Sequence, residues 1–248
     1  MAEQKKVALI TGANRGIGFE TARQLGKTGV TVVLGARQFA KAQEAATKLK
    51  AEGIDAQGIQ LDVTNEQDRK SAAQYLEKQF GKLDILINNA GITTKDGIGK
   101  SRITEASSNE ELHKVFDTNF FSVIRITQEL LPLLNKSEAG RIVNLSSILG
   151  SLTIHSTPNS PLASFKNFAY NASKTALNAF TIHLAAELAG TKIKVNSVHP
   201  GWVKTEMGTD AAPLEIPDGA KTSVAMALIG EDGPNGRFIQ ETNKELPW

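Results

Sequence analysis

The sequence contains no cysteine, which excludes disulfide bonds and thiolate catalysis. It carries little net charge, +2 from 28 basic and 26 acidic residues, so we expect neither a nucleic-acid nor a membrane partner. No apolar run approaches the ~18 residues of a membrane-spanning helix. The polar start Met1–Lys6 lacks the apolar core of a signal peptide. These absences predict a soluble, cytoplasmic protein.

Several catalytic motifs are also missing. The four histidines do not have the spacing of metal ligands, so we predict no metal site. Neither a Gly-x-Ser-x-Gly elbow nor a Walker lysine loop is present. The chemistry must therefore come from other residues.

Short segments rich in β-branched residues alternate with segments whose apolar residues recur at helical spacing. The predicted strands are 7–11, 31–36, 55–61, 83–88, 141–146, 192–197 and 237–240, the last as an edge strand. The predicted helices are 16–28, 40–52, 65–80, 108–134, 168–189 and 219–229. This alternation predicts an α/β, doubly wound Rossmann fold, with about seven parallel strands and helices on both faces.

No linker or internal repeat divides this pattern, so we expect residues 1–248 to form a single domain. Residues 149–167 and 201–218 are predicted to be irregular because both contain prolines among small residues. Each follows the carboxyl end of a strand, where ligands bind in open α/β sheets. They are candidate walls of a substrate pocket.

The turn after the first strand is rich in glycine. Gly12 allows a tight turn, Gly16 allows the backbone to approach a pyrophosphate, and Gly18 allows the helix to pack closely on the sheet. Phosphates there would meet the free N–H groups of a helix N-terminus. An ordinary loop can also hold three glycines, but the position between strand and helix favours a dinucleotide site. The predicted cofactor residues of this loop are Gly12, Asn14, Arg15, Gly16, Ile17 and Gly18.

The end of the second strand indicates which dinucleotide binds. An NAD-specific site carries Asp or Glu at this point, whereas this chain has Ala36 and Arg37. Arg37 and Arg15 could hold a 2′-phosphate through charged hydrogen bonds. The alternative is that Arg37 is a solvated charge. Our hypothesis is a preference for NADPH/NADP.

Two other strand ends carry candidate cofactor residues. Asp62 and Val63 follow the third strand and could cap the adenine edge, although Asp62 would serve equally as an N-cap-like residue. Asn89, Ala90 and Gly91 follow the fourth strand. Their small and amide side chains suit close packing against a ribose, or a plain turn.

Tyr170 and Lys174 are four residues apart at the start of a predicted helix, so they share one face. A phenol has a pKa near 10, which a nearby ammonium and an oxidised nicotinamide ring would lower. Tyr170 could then give a proton to a carbonyl oxygen. Ser146 and Ser147 end the fifth strand, where a hydroxyl could donate to the same oxygen or form a turn. Asn119 lies inside a predicted helix despite its poor propensity, which indicates a backbone distortion or a water site.

These motifs occur together and in a fixed order: Thr-Gly-x-x-x-Gly-x-Gly, Asn-Asn-Ala-Gly, a helical Asn, a strand-end Ser, Tyr-x-x-x-Lys and Pro-Gly. In this order the sequence resembles the short-chain dehydrogenase/reductase family, classical single-domain type, over nearly the whole chain. The resemblance implies a catalytic set in which Ser147 polarises the carbonyl, Tyr170 is the acid/base, Lys174 lowers the pKa of Tyr170 and binds the nicotinamide ribose, and Asn119 holds a water.

The resemblance also implies cofactor contacts beyond the glycine loop. Asn89 would contact the cofactor, Val203 would meet the carboxamide through its backbone, and Thr205 would approach the pyrophosphate. Pro200 and Gly201 break the chain where the nicotinamide is expected to lie. The Ala36-Arg37 pair resembles the NADPH-preferring members.

The interval from Ser147 to Tyr170 is longer than in the common family form, as in the carbonyl-reductase-like branch, which segment 200–208 also resembles. The insertion precedes the helix that family dimers pack together. We therefore expect a monomer or dimer rather than a tetramer. Candidate pocket residues are Ile148, Leu149, His155, Trp202 and Met207.

The function predicted from these residues is NADPH-dependent reduction of a ketone or aldehyde, a small-molecule carbonyl substrate. One alternative is an NAD(P)-dependent alcohol dehydrogenase working in the oxidative direction. Another is a dinucleotide sensor that has kept the fold without catalysis. The sequence does not identify the substrate.

Overall fold

The structure, a computed structural model, describes residues 5–95, 108–241 and 244–248. Its strands are β1 Val7–Thr11, β2 Thr31–Ala36, β3 Ala56–Gln60, β4 Ile85–Asn88, β5 Arg141–Leu145, β6 Lys194–His199, β7 Phe238–Gln240 and β8 Lys244–Glu245. They form one sheet in the order β3-β2-β1-β4-β5-β6-β7-β8. The first seven are parallel, and β8 pairs antiparallel with β7.

The described helices are α1 Gly16–Lys27, α2 Phe39–Ala51, α3 Glu66–Phe80, α4 Asn109–Phe116, α5 Ser122–Leu134, α6 Leu152–Ser156, α7 Phe168–Glu187 and α8 Ile216–Ala227. Side chains alternate across each strand, so Leu9 packs with α3, α5 and α7, whereas Ile10 packs with α1, α2 and α8. Both faces of the sheet are therefore covered, as the doubly wound prediction required.

The strand order indicates where a ligand crevice lies in this fold. From β1 the chain moves outward to β3, then returns to β4 on the other side of β1 and continues to β8. The order reverses between β1 and β4, and their carboxyl ends border a crevice at that point. The glycine loop follows β1 and the Asn89-Ala90-Gly91 turn follows β4, so the fold brings two predicted cofactor segments together.

Three expectations about the elements need correction. The sheet has an eighth strand, so the segment predicted at 237–240 is not its edge. Residues 149–167 are not wholly irregular, because a 3₁₀ turn, Ile148–Gly150, and α6 lie at their start. The last helix begins earlier than predicted, at Ile216, with Pro217 in its first turn, where a missing N–H costs nothing.

The predicted helix 108–134 is interrupted. A π-helical segment, Asp117–Phe121, joins α4 to α5 and contains Asn119. This confirms the backbone distortion that a mid-helix asparagine indicated, since π-turns insert an extra residue into the helical ladder. No helix within the described residues has both the length and the apolar content to cross a bilayer.

Candidate active site

The glycine loop between β1 and α1 has a backbone that only glycine adopts readily. Gly12 and Gly16 have φ values of +62° and +59°, in the left-handed region. A Cβ on Gly18 would lie 2.4 Å from Asn89 Nδ2 and 2.8 Å from the Gly12 carbonyl oxygen. A Cβ on Gly16 would have only Thr205 Cγ2 within 4 Å, at 3.8 Å. The loop therefore leaves open space before the start of α1, which fits a pyrophosphate.

Thr11 and Asn89 fix this loop to the neighbouring strand. The Thr11 hydroxyl accepts hydrogen bonds from the backbone N–H groups of Asn89 and Ala90, both at 3.0 Å. Asn89 Nδ2 donates to the carbonyl oxygens of Thr11 (2.7 Å) and Gly12 (3.1 Å). The Asn89 side chain thus holds the loop itself. Sequence reasoning missed Thr11, whose role follows only from the pairing of β1 with β4.

The two arginines predicted to bind a 2′-phosphate differ in their surroundings. Arg37 is exposed and has no hydrogen-bond or ion-pair partner within residues 5–95, 108–241 and 244–248. Arg15 forms an ion pair with Glu206, in which both side chains are largely exposed. Such a pair contributes little to stability in water. Both guanidinium groups are therefore accessible to an anionic group beside β2.

Asp62 shapes the turn after β3. Its Oδ1 accepts hydrogen bonds from Thr64 N (3.0 Å) and Thr64 Oγ1 (2.7 Å). The N-cap of α3 is Asn65, whose side chain accepts from Asp68 N. Val63 is buried, and its carbonyl oxygen accepts from Arg69. Asp62 is thus a turn residue rather than the helix cap.

Tyr170 and Lys174 lie close together in the first turns of α7. Lys174 Nζ is 5.7 Å from the Tyr170 ring centroid, and the two residues are only 5% and 6% exposed. Lys174 Nζ donates to the Leu145 carbonyl oxygen at 2.7 Å. A Cβ on Gly91 would lie 3.6 Å from Lys174 Nζ. Lys174 thus faces the turn after β4, which also holds the glycine loop through Asn89.

Burial governs the pKa values of this pair. It raises the pKa of Tyr170 to about 12, against the effect of a hydrogen bond with Ser147, which lowers the pKa. It lowers the pKa of Lys174 to about 8. The sequence predicted instead that the ammonium makes the phenol more acidic. In the protein alone, desolvation is the largest influence on the pKa of both groups.

The two serines after β5 have different partners. Ser146 Oγ donates to Asn178 Oδ1 at 2.7 Å and is buried against α7. Ser147 Oγ accepts from Leu149 N at 3.2 Å, and the Ser147 hydroxyl is close enough to Tyr170 to lower the pKa of that phenol. Ser147 is therefore the serine that shares a site with the tyrosine, as the family pattern implied.

Asn119 links the π-helical segment to the loop after β4. Its Oδ1 accepts from Ile92 N at 2.8 Å, and its Nδ2 donates to the Ile92 carbonyl oxygen at 2.8 Å. Nδ2 also donates to Ser173 Oγ at 3.0 Å. Asn119 therefore connects this loop to α7, next to Lys174.

The segment after β6 contacts the glycine loop from the opposite side. Pro200 is followed by Gly201, with φ +85°, and Val203 is buried and pairs with Leu214 in an isolated β-bridge. Thr205 Oγ1 accepts from Gly208 N at 3.1 Å. Its methyl group points toward Gly16. Of the residues predicted in this segment, Thr205 is therefore the one that approaches the glycine loop.

The insertion between Ser147 and Tyr170 contributes an aromatic residue, Phe165, that packs against Trp202. The rings of Phe165 and Trp202 meet edge to face, with centroids 6.2 Å apart, and Trp202 is 43% exposed. His155 is less available, because its Nε2 lies 3.0 Å from the Leu149 carbonyl oxygen and its Nδ1 3.0 Å from Lys166 Nζ. Sequence reasoning missed Phe165, which no spacing rule connects with Trp202.

Gly150 allows the insertion to pack against α7. A Cβ there would lie 2.8 Å from the Lys174 carbonyl carbon. The 3₁₀ turn after Ser147 therefore approaches the helix backbone directly beside the lysine. Among the described residues, no group of three or more His, Asp or Glu side chains is placed to hold a metal ion.

Comparisons with known proteins agree on one family. The family described as short chain dehydrogenase matches residues 6–215. Carbonyl reductase (NADPH) 1 of Mus musculus is 32% identical over 286 aligned positions and is covered in full, as is this chain. Salutaridine reductase of Papaver bracteatum is 34% identical, over 94% of this chain and 93% of its own length. The solved NADPH-bound carbonyl reductase from chicken fatty liver has a TM-score of 0.84 at 25% identity, covering 99% of this chain and 100% of that one.

Proposed function

Because the chain belongs to the short-chain dehydrogenase/reductase family, in its carbonyl-reductase-like branch, we propose that it reduces a ketone or aldehyde to an alcohol with NADPH as cofactor. In this proposal the whole chain acts as one Rossmann-type domain. The observation that carries it is the buried cluster of Ser147, Tyr170 and Lys174 at the dinucleotide crevice. A sensor without catalysis would not need to bury an ionisable pair, which is unfavourable.

Tyr170 is suited to donate a proton. Because burial raises its pKa to about 12, the phenol keeps its proton at neutral pH. NADPH, when bound, supplies the hydride that reduces the carbonyl carbon. The phenolate left by proton donation is disfavoured by burial, and the Ser147 hydroxyl and the Lys174 ammonium are the groups that stabilise it. In the same proposal, the Ser147 hydroxyl polarises the substrate oxygen.

The proposed cofactor contacts are supported by the backbone conformation of the glycine loop and by the exposed arginine charges beside it. The pyrophosphate would lie at the start of α1, bordered by the glycine loop and Thr205. Arg37 and Arg15 would hold the 2′-phosphate, and Asp62 with Val63 would border the adenine. Lys174 would bind the nicotinamide ribose, near Ala90 and Gly91.

The substrate side favours a bulky or aromatic carbonyl compound. The exposed Trp202 and the adjacent Phe165 offer a ring edge and a ring face for apolar contact. The choice between reduction and oxidation depends on cofactor ratios and substrate, so alcohol oxidation with NADP belongs in the same assay. We also propose that the protein is cytosolic and that it is a monomer or dimer. Light scattering of the purified protein would test the second of these, through its molar mass.

The experiment is to follow NADPH and NADH oxidation with a panel of ketones, aldehydes, steroids and ketoacyl thioesters. We expect turnover with NADPH and a fall in kcat of about a hundredfold or more in Tyr170→Phe, the usual effect of losing a general acid. NADPH binding, followed by fluorescence, should persist. Tyr75→Phe is the matched control, because the Tyr75 hydroxyl donates to Gln57, a residue of β3. Full activity in Tyr170→Phe, or binding without turnover in the parent protein, would contradict the proposal.

A further inference from the structure

The catalytic helix α7 begins with an asparagine that is fully buried. Asn167 is the N-cap residue, and its Oδ1 accepts a hydrogen bond from the backbone N–H of Tyr170 at 3.1 Å. An N-cap is normally at a solvated helix end, whereas Asn167 has 0% exposure. The cap therefore acts directly on the backbone of the tyrosine and does so inside the protein.

The other end of the same amide reaches a second element. Asn167 Nδ2 donates to Thr94 Oγ1 at 2.6 Å, and Thr94 is 4% exposed. Thr94 follows Ile92, whose backbone N–H and carbonyl oxygen are both held by Asn119. The amide thus joins the first turn of α7 to the loop after β4, which borders the cofactor crevice.

A second connection reaches the same tyrosine from the opposite side. Ser173 Oγ donates to the Tyr170 carbonyl oxygen at 2.7 Å and accepts from Asn119 Nδ2 at 3.0 Å. Both backbone polar atoms of Tyr170 are therefore bonded to side chains that connect with segment 92–94. Buried amides and hydroxyls that are paired in this way fix a geometry, since unpairing them is costly.

We infer that Asn167 and Thr94 are positioning residues. They set the position of the Tyr170 phenol relative to the Asn89-Ala90-Gly91 turn after β4. The inference rests on the proposed function, in which Tyr170 donates the proton. Neither residue touches the reacting atoms. Their effect is on the distance and angle of the phenol, and a displacement of about 1 Å is enough to slow a reaction by about a hundredfold.

The test uses Thr94→Val, which keeps the shape of the side chain and removes the acceptor. We expect kcat with the best carbonyl substrate to fall about tenfold, while the KM for the carbonyl and the dissociation constant for NADPH change less than twofold. Thr94→Ser, which restores the hydroxyl, should recover most of kcat. Asn167→Ala removes the bonds to Thr94 and to the Tyr170 backbone N–H, so it should lower kcat further, together with the melting temperature.

Thr31→Val is the matched control. Thr31 is also 4% exposed, and its hydroxyl donates to Asp55 Oδ2 at 2.8 Å, but it lies at the amino end of β2, away from the crevice. It should lower the melting temperature with kcat unchanged. An equal fall of kcat in Thr31→Val and Thr94→Val would overturn the inference, because it would indicate general destabilisation.

Different results would overturn the positioning role and the proposed function. If Tyr170→Phe is inactive and Thr94→Val has normal kcat, the positioning inference is wrong and the proposed function stands. If Tyr170→Phe keeps its activity, the proposed function is wrong and the inference is overturned with it. A change confined to the KM for the carbonyl in Thr94→Val would also contradict positioning, since it would place Thr94 at the substrate.

Discussion

Around the glycine loop the site is formed by backbone, whereas around Tyr170 it is formed by buried side chains. Gly12 and Gly16 take a conformation that side chains disfavour, and the arginines beside them stay exposed. At the other end, Tyr170 and Lys174 are almost fully buried, with pKa values moved by desolvation. The cofactor end of the site, the glycine loop with Arg15 and Arg37, is thus exposed and can bind an anion from water. The chemical end, Tyr170 and Lys174, is shielded from water by the protein itself.

This difference has a physical reason. A phosphate is already charged, so accessible N–H groups and guanidinium groups suffice to bind it. A proton donor must keep its proton until the carbonyl is reduced, and burial does this by disfavouring the phenolate. The two ends should therefore respond differently to mutation.

The largest effect should come from Gly18→Ala. The new Cβ would clash with Asn89 Nδ2 and with the Gly12 carbonyl oxygen, so the loop must move. We expect NADPH affinity, measured by fluorescence titration, to fall at least about a hundredfold, or ~3 kcal/mol. Gly230→Ala is the control, since a Cβ there meets nothing within 4 Å. Unchanged affinity in Gly18→Ala would show that the loop geometry is not what binds the phosphates.

Arg37→Ala should have an intermediate effect. Removal of one charged hydrogen bond of ~1.5–3 kcal/mol should raise the KM for NADPH about ten- to a hundredfold. The KM for NADH should not change, because NADH lacks the 2′-phosphate. Arg237→Ala, which removes an exposed arginine paired with Glu245, is the control. Equal changes with both cofactors would contradict the assignment of Arg37.

The smallest effect should be a gain in stability from Lys174→Met. Below pH 8 the folded protein must bury the ammonium, and the shift from 10.5 to about 8 corresponds to a cost of ~3 kcal/mol. Loss of the charged hydrogen bond to Leu145 offsets most of this. We expect the cofactor-free variant to gain roughly 1 kcal/mol at pH 7.

The pH dependence of that gain provides the check. Between pH 8 and 10.5 the folded protein releases the lysine proton while the unfolded chain keeps it, so the stability of the parent protein rises with pH. The advantage of the variant should therefore shrink over this interval in thermal unfolding experiments. A variant that is less stable at every pH would indicate that the lysine is stabilising as a cation.

Much of the cofactor end could be predicted from sequence because its signals are local. Gly12, Gly16 and Gly18 are close together in the chain, and a strand and a helix flank them. A backbone distortion at Asn119 was one of the two alternatives predicted, since asparagine is unfavourable in a regular helix, and the π-helical segment lies there. Thr11 was not found, because its partners lie more than seventy residues away, at Asn89 and Ala90.

Around Tyr170 and Lys174, by contrast, less could be predicted from the sequence. Spacing placed Tyr170 and Lys174 on one face, but it did not indicate that burial raises the pKa of the tyrosine in the protein alone. Desolvation depends on every element that packs around a group, and a four-residue motif contains no information about those elements. Phe165 and Thr94 were missed because their partners, Trp202 and Asn167, are distant in the sequence and no local motif connects them.

The sequence by itself determined the order of strands and helices along the chain and the position of the glycine turn, and it predicted which side chains react. These follow from local backbone preference and from the periodicity of apolar residues. Only the tertiary structure decided that Asn89 holds the glycine loop and that Asn167 is a buried cap tied to Thr94. Such contacts join residues that are distant in the chain, and their energies depend on exclusion of water, which arises only when the sheet and both helix layers are assembled.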